Sequence, residues 1–211
     1  MRLIFVRHAE SEANARGSMD CTVPGPPLSP HGFTQADALP DTVAPLLDGL
    51  PLQAVWASTM TRAQQTAAPL AHRYDVPLQV HPLLHEVNVG DLNERVDDEA
   101  HQAFYDVVAC WHVDGDMERA CPNGETGSAL VARLRTSVDD VLATAGDEPG
   151  AVVVVSHGAI LMTGLPWLCD NLTSQYVVTH HLANTSTVVV DVVDREAPKL
   201  VCRTWDDTTP A

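Results

Sequence analysis

The sequence lacks any long apolar run. Its longest uninterrupted apolar stretches, such as residues 151–155, fall far short of the roughly 20 residues that cross a bilayer. At the N-terminus only residues 3–6 are apolar before Arg7, which is too short for the apolar region of a signal peptide. We therefore expect no membrane partner and a cytoplasmic location.

Basic residues are also scarce. The chain has 12 Lys and Arg against 28 Asp and Glu, for a formal net charge of -16. Nucleic acids and anionic membranes are bound mainly through basic patches, so this balance argues against both as partners. Any phosphate site must therefore be a local positive pocket on an acidic protein.

Paired cysteine motifs are absent as well. The five cysteines are Cys21, Cys110, Cys121, Cys169 and Cys202, and no two of them form a Cys-x-x-Cys motif. An odd, scattered set of this kind indicates reduced thiols rather than a disulfide framework or a zinc site, which agrees with a cytoplasmic protein.

Linkers and repeats are missing from a chain of ordinary domain length. The 211 residues are 45% hydrophobic, and a chain of this size can bury roughly 70% of its unfolded surface in one core. No internal repeat and no Gly- or Ser-rich segment divides it. We predict one domain over residues 1–211, with an insertion at about residues 87–125 that forms a small cap over a site.

Apolar runs typical of buried strands alternate with segments of helical periodicity. The predicted strands are residues 2–6, 53–57, 77–80, 151–155, 185–193 and 200–204, and the predicted helices are residues 30–47, 60–73, 97–112, 127–145 and 159–169. This alternation predicts an α/β fold, namely a three-layer α/β/α sandwich with a mostly parallel central sheet.

Two of the predicted strands end at a histidine. Arg7-His8 follows the first strand, and Ser156-His157 follows the fourth. In an open α/β sheet the loops at the carboxyl ends of neighbouring strands converge on one crevice, so these histidines could meet there. The spacing alone leaves that convergence open, because a lone histidine at a strand end is more often structural than catalytic.

The sequence around His8 resembles a known signature. Residues 6–14 (Val-Arg-His-Ala-Glu-Ser-Glu-Ala-Asn) are similar to the Arg-His-Gly-Glu-x-x-x-Asn motif of the histidine phosphatase, or phosphoglycerate-mutase-like, superfamily. Five further blocks resemble that family in the same order, at residues 28–36, 58–67, 84–90, 122–126 and 155–158. One block would be weak evidence, but six in order over residues 2 to about 160 indicate its phosphatase branch.

The resemblance implies a role for each residue of a phosphoryl-transfer site. It implies that His8 attacks phosphorus and becomes phosphohistidine, while Arg7, Arg62 and His157 surround the phosphate oxygens. Arginine suits this position because its planar fork pairs two oxygens at once. The same cations should disfavour protonation of His8 and keep it nucleophilic.

The resemblance also assigns a proton donor and two further phosphate contacts. Glu86 matches the family's donor to the leaving oxygen, which predicts activity on the acid-to-neutral side of pH, and Asn14 and Gly158 match phosphate-binding positions. No metal or cofactor is implied. The prediction is a metal-independent, histidine acid phosphatase-type enzyme that hydrolyses a small phosphorylated metabolite, with a homodimer left open.

Two positions depart from the family pattern. Ala9 replaces the usual Gly after the catalytic histidine, which adds a methyl group but should still allow activity. After Glu86 the family often continues Gly-x-x-Glu-Gly, whereas this chain has Asn93 and Glu94 at the last two positions. The loop that presents the leaving group therefore differs from the pattern.

Two other functions fit the sequence less well than hydrolysis does. A cofactor-dependent phosphoglycerate mutase must hold a second anionic group, but residues 87–125 carry only Arg95 and Arg119 among many Asp and Glu. A non-catalytic phosphate-binding module usually loses the nucleophile or an arginine, and none is lost here. A phosphatase is therefore favoured over both.

Other histidines could suggest a metal site. They are His31, His85, His101, His112, His180 and His181, and their spacings match no ligand motif. We expect them to be solvated or capping side chains.

Overall fold

A central sheet of six strands organises the computed structural model, which describes residues 1–146, 148–194 and 199–210. The strands are β1 (Arg2–Arg7), β2 (Leu52–Ser58), β3 (Leu78–His81), β4 (Ala151–Ser156), β5 (Thr187–Asp194) and β6 (Lys199–Trp205). They lie in the order β3-β2-β4-β1-β5-β6. Every strand predicted from the sequence is present, with ends that differ by one or two residues.

The inner strands are parallel, as predicted. β1 pairs with β4, and β2 pairs with both β3 and β4, all in parallel. β5 and β6 add two antiparallel pairings at one side of the sheet. In the β1–β4 register Arg7 lies opposite Ser156, so the residues that follow them leave the sheet at the same level.

Seven helices surround the sheet in the part of the chain that the structure describes. They are α1 (Glu12–Ala15), α2 (Pro30–Val43), α3 (Thr61–Tyr74), α4 (Asp98–Ala109), α5 (Gly127–Thr144), α6 (Gly158–Leu168) and α7 (Ser174–Thr179). The sequence did not predict α1 and α7, because these helices are too short to show a periodic pattern of apolar residues. A π-helical turn, Cys110–Asp114, extends α4. None of the described helices is both long and apolar enough to span a membrane.

The alternating side chains of β1 belong to two separate core clusters, one on each face of the sheet. Leu3 and Phe5 pack in a cluster with buried residues of α5 and α6, whereas Ile4 and Val6 pack in a second cluster with residues of α2 and α3. Successive side chains of a strand point to opposite faces, so the sheet separates these clusters. The predicted three-layer α/β/α arrangement is confirmed.

The segment predicted as a cap contributes to the first of these clusters. Ala100, Val107 and Trp111 are buried in the same cluster as Leu3 and Phe5. The Asp97 side chain accepts a hydrogen bond from the Ala100 N–H at 3.0 Å and so caps the start of α4. Residues 87–125 therefore pack on the α5 and α6 side of the sheet.

Gly32 anchors the start of α2 to the loop that follows β1. A Cβ atom at this position would collide with the backbone carbonyl of Glu10. Ser29, the N-cap residue of α2, donates from its hydroxyl to the Glu10 carboxylate at 2.6 Å. A glycine weakens the first turn of a helix, but here it permits close packing against the backbone beyond His8.

Candidate active site

His8 and His157 lie side by side beyond the ends of β1 and β4. Their ring centroids are 4.9 Å apart in an edge-to-face arrangement, and the residues are only 2% and 0% exposed. The His8 N–H donates to the Ser156 carbonyl at 2.9 Å, which continues the β1–β4 pairing into the loop. The parallel register therefore brings together two histidines that are far apart in sequence.

The hydrogen bonds of His8 define its tautomer. The Arg62 Nε–H donates to His8 Nε2 at 3.1 Å, and His8 Nδ1 lies 2.7 Å from the Ala9 carbonyl oxygen. A guanidinium nitrogen can only donate, so Nε2 holds the lone pair and Nδ1 carries the proton. Burial, followed by the charges of Arg62 and Arg7, lowers the pKa of His8 well below 6.5. His8 is thus a neutral, buried imidazole.

Arg62 is a buried cation and Arg7 is a partly buried one, and backbone carbonyl groups hold both. Arg7 Nη1 donates to the Leu182 carbonyl at 2.6 Å, and Arg62 Nη2 donates to that of Asp20 at 2.9 Å. Among the described residues, neither Arg7 Nε nor Arg62 Nη1 has a hydrogen-bond partner. Burial lowers the pKa of both groups, but arginine remains charged in proteins. Buried donors without partners suit an anionic ligand.

His157 is joined to β2. Its Nε2 lies 2.8 Å from the Ser58 hydroxyl, whereas its Nδ1 is buried and has no hydrogen-bond partner in the described parts of the chain. Burial is the largest cause that lowers the pKa of His157 well below 6.5, and His8 is the next. His157 therefore adds a second neutral imidazole with one unused nitrogen.

Glu86 reaches the site from the loop after β3. Its carboxylate accepts hydrogen bonds from the N–H groups of Val87 at 2.9 Å, Ala159 at 3.1 Å and Ile160 at 3.0 Å. The last two lie in the first turn of α6, so Glu86 caps a helix that starts more than 70 residues later in the chain. This arrangement fixes the carboxylate beside Arg7 and Arg62, whose pKa values it acts to raise.

A buried ion pair holds the loop that carries Glu86. Arg133 forms a two-pronged pair with Glu125, with contacts of 2.7 and 2.9 Å, and their side chains are 10% and 14% exposed. Arg133 also donates to the carbonyls of Leu83, His85 and Glu86. Glu125 belongs to one of the family blocks, whereas no motif or spacing in the sequence points to Arg133.

Two asparagines meet behind His8. The Asn184 side chain donates to the His8 carbonyl at 2.9 Å and to Asn14 Oδ1 at 3.3 Å. Asn14 Oδ1 also accepts from the Ser11 N–H at 3.1 Å within the capping box of α1. Asn184 was not predicted, because it lies outside the family blocks and 176 residues from its partner.

The glycine and alanine that flank the histidines have distinct packing roles. A Cβ at Gly158 would lie 3.2 Å from Arg7 Nε, so glycine allows the guanidinium to approach the start of α6 closely. Ala9 is fully buried in a small cluster with Leu28 and Ala36. The extra methyl group at position 9 is therefore accommodated by packing.

A cleft of about 380 Å³ opens at this site. Its inner end is lined by Arg7, His8, Asn14, Arg62 and Glu86. The fully buried His157 and Gly158 are not among the described residues that line the cleft, although the adjacent Ala159 is. The structure therefore brings all seven predicted residues into one region and exposes five of them to the cleft.

The remaining histidines form no metal-binding cluster in the described ranges. No group of three or more His, Cys, Asp or Glu residues there could hold a metal ion. His180, for example, ends α7 and stacks on Tyr176 with ring centroids 4.1 Å apart. Capping and packing account for this side chain.

The chain is similar to a protein family and to individual proteins. The family "Histidine phosphatase superfamily (branch 1)" matches residues 3–207. The adenosylcobalamin/alpha-ribazole phosphatase of Salmonella typhimurium is 32% identical over 162 residues, which cover 76% of each chain. The PE-PGRS family protein PE_PGRS11 of Mycobacterium tuberculosis is 30% identical over 197 residues, but this chain spans only 33% of its length.

A solved structure extends the similarity to three dimensions. The native mycobacterial glucosyl-3-phosphoglycerate phosphatase has a TM-score of 0.78 and 25% sequence identity, with 97% of this chain and 98% of that chain covered. A TM-score this high over nearly the whole of both chains shows that the two proteins share one overall fold.

We predict that Glu125→Gln destabilises the fold. The substitution leaves the buried Arg133 charge without its carboxylate, and breaking a buried pair costs about 3 kcal/mol. Urea unfolding measures the change. The control is Glu99→Gln, where an exposed carboxylate 3.8 Å from Arg95 is removed and little change is expected. Equal unfolding free energies for both variants would contradict the inferred clamp.

We also predict that stability falls as the pH drops below 6.5. His8 and His157 have lowered pKa values in the folded protein, so the unfolded chain takes up protons that the folded chain does not. Each histidine can contribute a slope of up to about 1.4 kcal/mol per pH unit between pH 6.5 and 5. The slope of the unfolding free energy against pH should be smaller for His8→Gln than for the wild type. His31→Gln, at an exposed site on α2, should match the wild-type slope, and an unchanged slope in His8→Gln would refute this explanation.

Proposed function

Since the chain belongs to the histidine phosphatase superfamily (branch 1), we propose that it hydrolyses phosphate monoesters of small metabolites through a phosphohistidine at His8, without a metal ion. The family predicted from the sequence motifs is confirmed by the match over residues 3–207. The observation that carries the proposed mechanism is the tautomer of His8, because a proton on Nδ1 leaves the lone pair on Nε2, where it accepts the Arg62 Nε–H.

The first step is attack by His8 Nε2 on phosphorus. When the ester binds, the Arg62 Nε–H turns from His8 Nε2 to a phosphate oxygen, and the freed Nε2 lone pair forms the new N–P bond while the bond from phosphorus to the leaving oxygen breaks. The imidazole gains positive charge during this step, and the Ala9 carbonyl, 2.7 Å from Nδ1, accepts a hydrogen bond from the Nδ1–H and stabilises that charge.

Charge on the phosphoryl oxygens is balanced by the surrounding donors. Arg7 and Arg62 retain unpartnered buried N–H groups, which supports them as the principal oxygen ligands. We assign Asn14 and the Gly158 backbone as further donors, and His157 as a contributor through its unused Nδ1. Fixed donors in a buried site stabilise a transition state without having to reorganise.

Glu86 supplies the proton for the leaving oxygen. Its carboxyl group is held in place by two backbone N–H groups at the start of α6 and by the Val87 N–H, and in the proposed cycle it carries a proton when the ester binds. After the proton leaves with the alcohol, the Glu86 carboxylate can take a proton from the water that attacks the phosphohistidine. Phosphate is then released, and neutral His8 is restored.

Further proposals concern the whole chain. We propose that residues 1–211 act as one domain, with residues 87–125 as a cap beside the cleft, and that the protein works in the cytoplasm. The absence of a disulfide among the five described cysteines supports that location. A homodimer remains an open proposal.

We predict that His8→Ala abolishes hydrolysis of p-nitrophenyl phosphate at mildly acidic pH with a chelator present. The variant removes the nucleophile, so the rate should fall by at least about 1,000-fold. Release of nitrophenolate measures it, and His31→Ala serves as the matched control. Activity that survives in His8→Ala would exclude His8 as the nucleophile, and wild-type activity that the chelator removes would contradict the metal-free mechanism.

We predict that Glu86→Gln affects substrates according to their leaving group. An alkyl phosphate needs a proton on its departing oxygen, so its kcat/KM should fall by about 100-fold or more, whereas p-nitrophenolate leaves readily without one. The readout is the ratio of kcat/KM values for propyl phosphate and p-nitrophenyl phosphate in each enzyme, because kcat/KM excludes the later hydrolysis of the phosphohistidine that both substrates share. An equal loss on both substrates would rule out Glu86 as the proton donor and leave it as a structural cap of α6.

A further inference from the structure

Three rings of α4 form one wall of the outer cleft. His101, Phe104 and Tyr105 occupy i, i+3 and i+4 positions on this helix, and all three line the cleft. The Tyr105 ring lies 6.4 Å from that of His101 and 6.3 Å from that of Phe104, centroid to centroid. Tyr105 is 58% exposed, so core packing does not account for this large aromatic side chain.

Apolar side chains continue this surface toward the phosphate end. Met19, Val87 and Val89 line the same cleft, and both valines lie within three residues after Glu86 in the chain. A leaving group attached to a phosphate at His8 would therefore pass Glu86 and enter a mainly apolar space. Sites for small molecules of this volume typically combine apolar and aromatic walls with a few placed polar groups.

Positive charge is confined to the inner end of the cleft. Among its described lining residues, Arg7 and Arg62 are the only Arg or Lys, and the other formal charges there are the carboxylates of Asp20 and Glu86. The two arginines of the cap segment are directed elsewhere. Arg95 pairs with Asp97, and Arg119 lines a separate cavity. A second anionic group on a substrate would therefore meet repulsion without a cation to bind it.

We propose that the natural substrate is a phosphate monoester of an uncharged alcohol that carries an aromatic or other flat apolar group, which packs against Tyr105 and Phe104. This proposal rests on the proposed function, because it assumes that the phosphate lies at His8. By this proposal the chain has a different substrate class from enzymes whose substrates carry a carboxylate beside the phosphate. The flat group of the substrate would stack on these aromatic rings, and a second negative charge would be repelled.

The test compares three phosphate esters of primary alcohols, 3-phenylpropyl phosphate, propyl phosphate and 3-phosphoglycerate. Their leaving oxygens are all primary alkoxides, so differences in kcat/KM report mainly how the rest of the molecule is bound. We expect kcat/KM for 3-phenylpropyl phosphate to exceed that for the other two by at least about tenfold. Equal values, or a preference for 3-phosphoglycerate, would overturn the inference.

Variants of Tyr105 test whether this side chain causes the preference for 3-phenylpropyl phosphate. Tyr105→Ala should reduce the ratio of kcat/KM for 3-phenylpropyl and propyl phosphate by about fivefold or more, and Tyr105→Phe should restore it. Tyr105→Arg should shift the ratio toward 3-phosphoglycerate by supplying a cation. Phe33→Ala removes another exposed ring, on α2 outside the cleft, and should leave all ratios unchanged. An unchanged ratio in Tyr105→Ala would overturn the assignment of the α4 wall.

Failure of the proposed function gives a different result. If the enzyme hydrolyses none of the three esters and no p-nitrophenyl phosphate, or if His8→Ala retains activity, the phosphohistidine proposal is wrong and the substrate inference falls with it. If hydrolysis requires His8 but shows no preference among the three esters, only the substrate inference is overturned.

Discussion

Parallel pairing of β1 with β4 is the constraint on which the site depends. The register places Arg7 opposite Ser156, and the His8 N–H then bonds to the Ser156 carbonyl, so both strands release a histidine at the same edge. A shift of one residue would turn the alternating side chains of β1 to the opposite faces and exchange its two core clusters. Burial on both faces of the sheet therefore specifies the register, and with it the 4.9 Å distance between the two rings.

Buried arginines in this protein are of two kinds. Arg133 meets a carboxylate and three carbonyls, so its charge is neutralised and its role is to hold the loop before Glu86. Arg7 and Arg62 are held by carbonyl oxygens and each keeps an unpartnered nitrogen. Backbone carbonyls orient a guanidinium without cancelling its charge, so these two remain available to an anion. A chain with a net charge of -16 can thereby maintain a local anion site.

The sequence predicts most of the fold because the strands are continuous apolar runs and the longer helices are periodic. It misses α1 and α7, which have four and six residues, and the π-helical turn after α4. At the site, His8 and His157 are predicted from motifs, but Asn184 and Arg133 are not. Arg133 binds carbonyls 47 to 50 positions away and Asn184 binds residues 170 and 176 positions away, and no local pattern encodes such pairs. The sequence suggests that nearby arginines keep His8 neutral. In the structure, burial lowers the pKa of His8 more than the charges of Arg62 and Arg7 do.

The departure from the family pattern at residues 93 and 94 lies behind the wall where the leaving group would bind. Asn93 accepts hydrogen bonds from both the N–H and the thiol of Cys21, and the Glu94 N–H donates to the Met19 carbonyl. Glu94 has a φ of 64°, a left-handed conformation that favours the glycine of the family pattern. Residues 93 and 94 thus fix the wall formed by Met19 and Cys21 without contacting the histidines. Substitution there can alter which alcohol is accepted while the residues around phosphorus stay unchanged, so the proposed chemistry and its specificity are carried by separate parts of the chain.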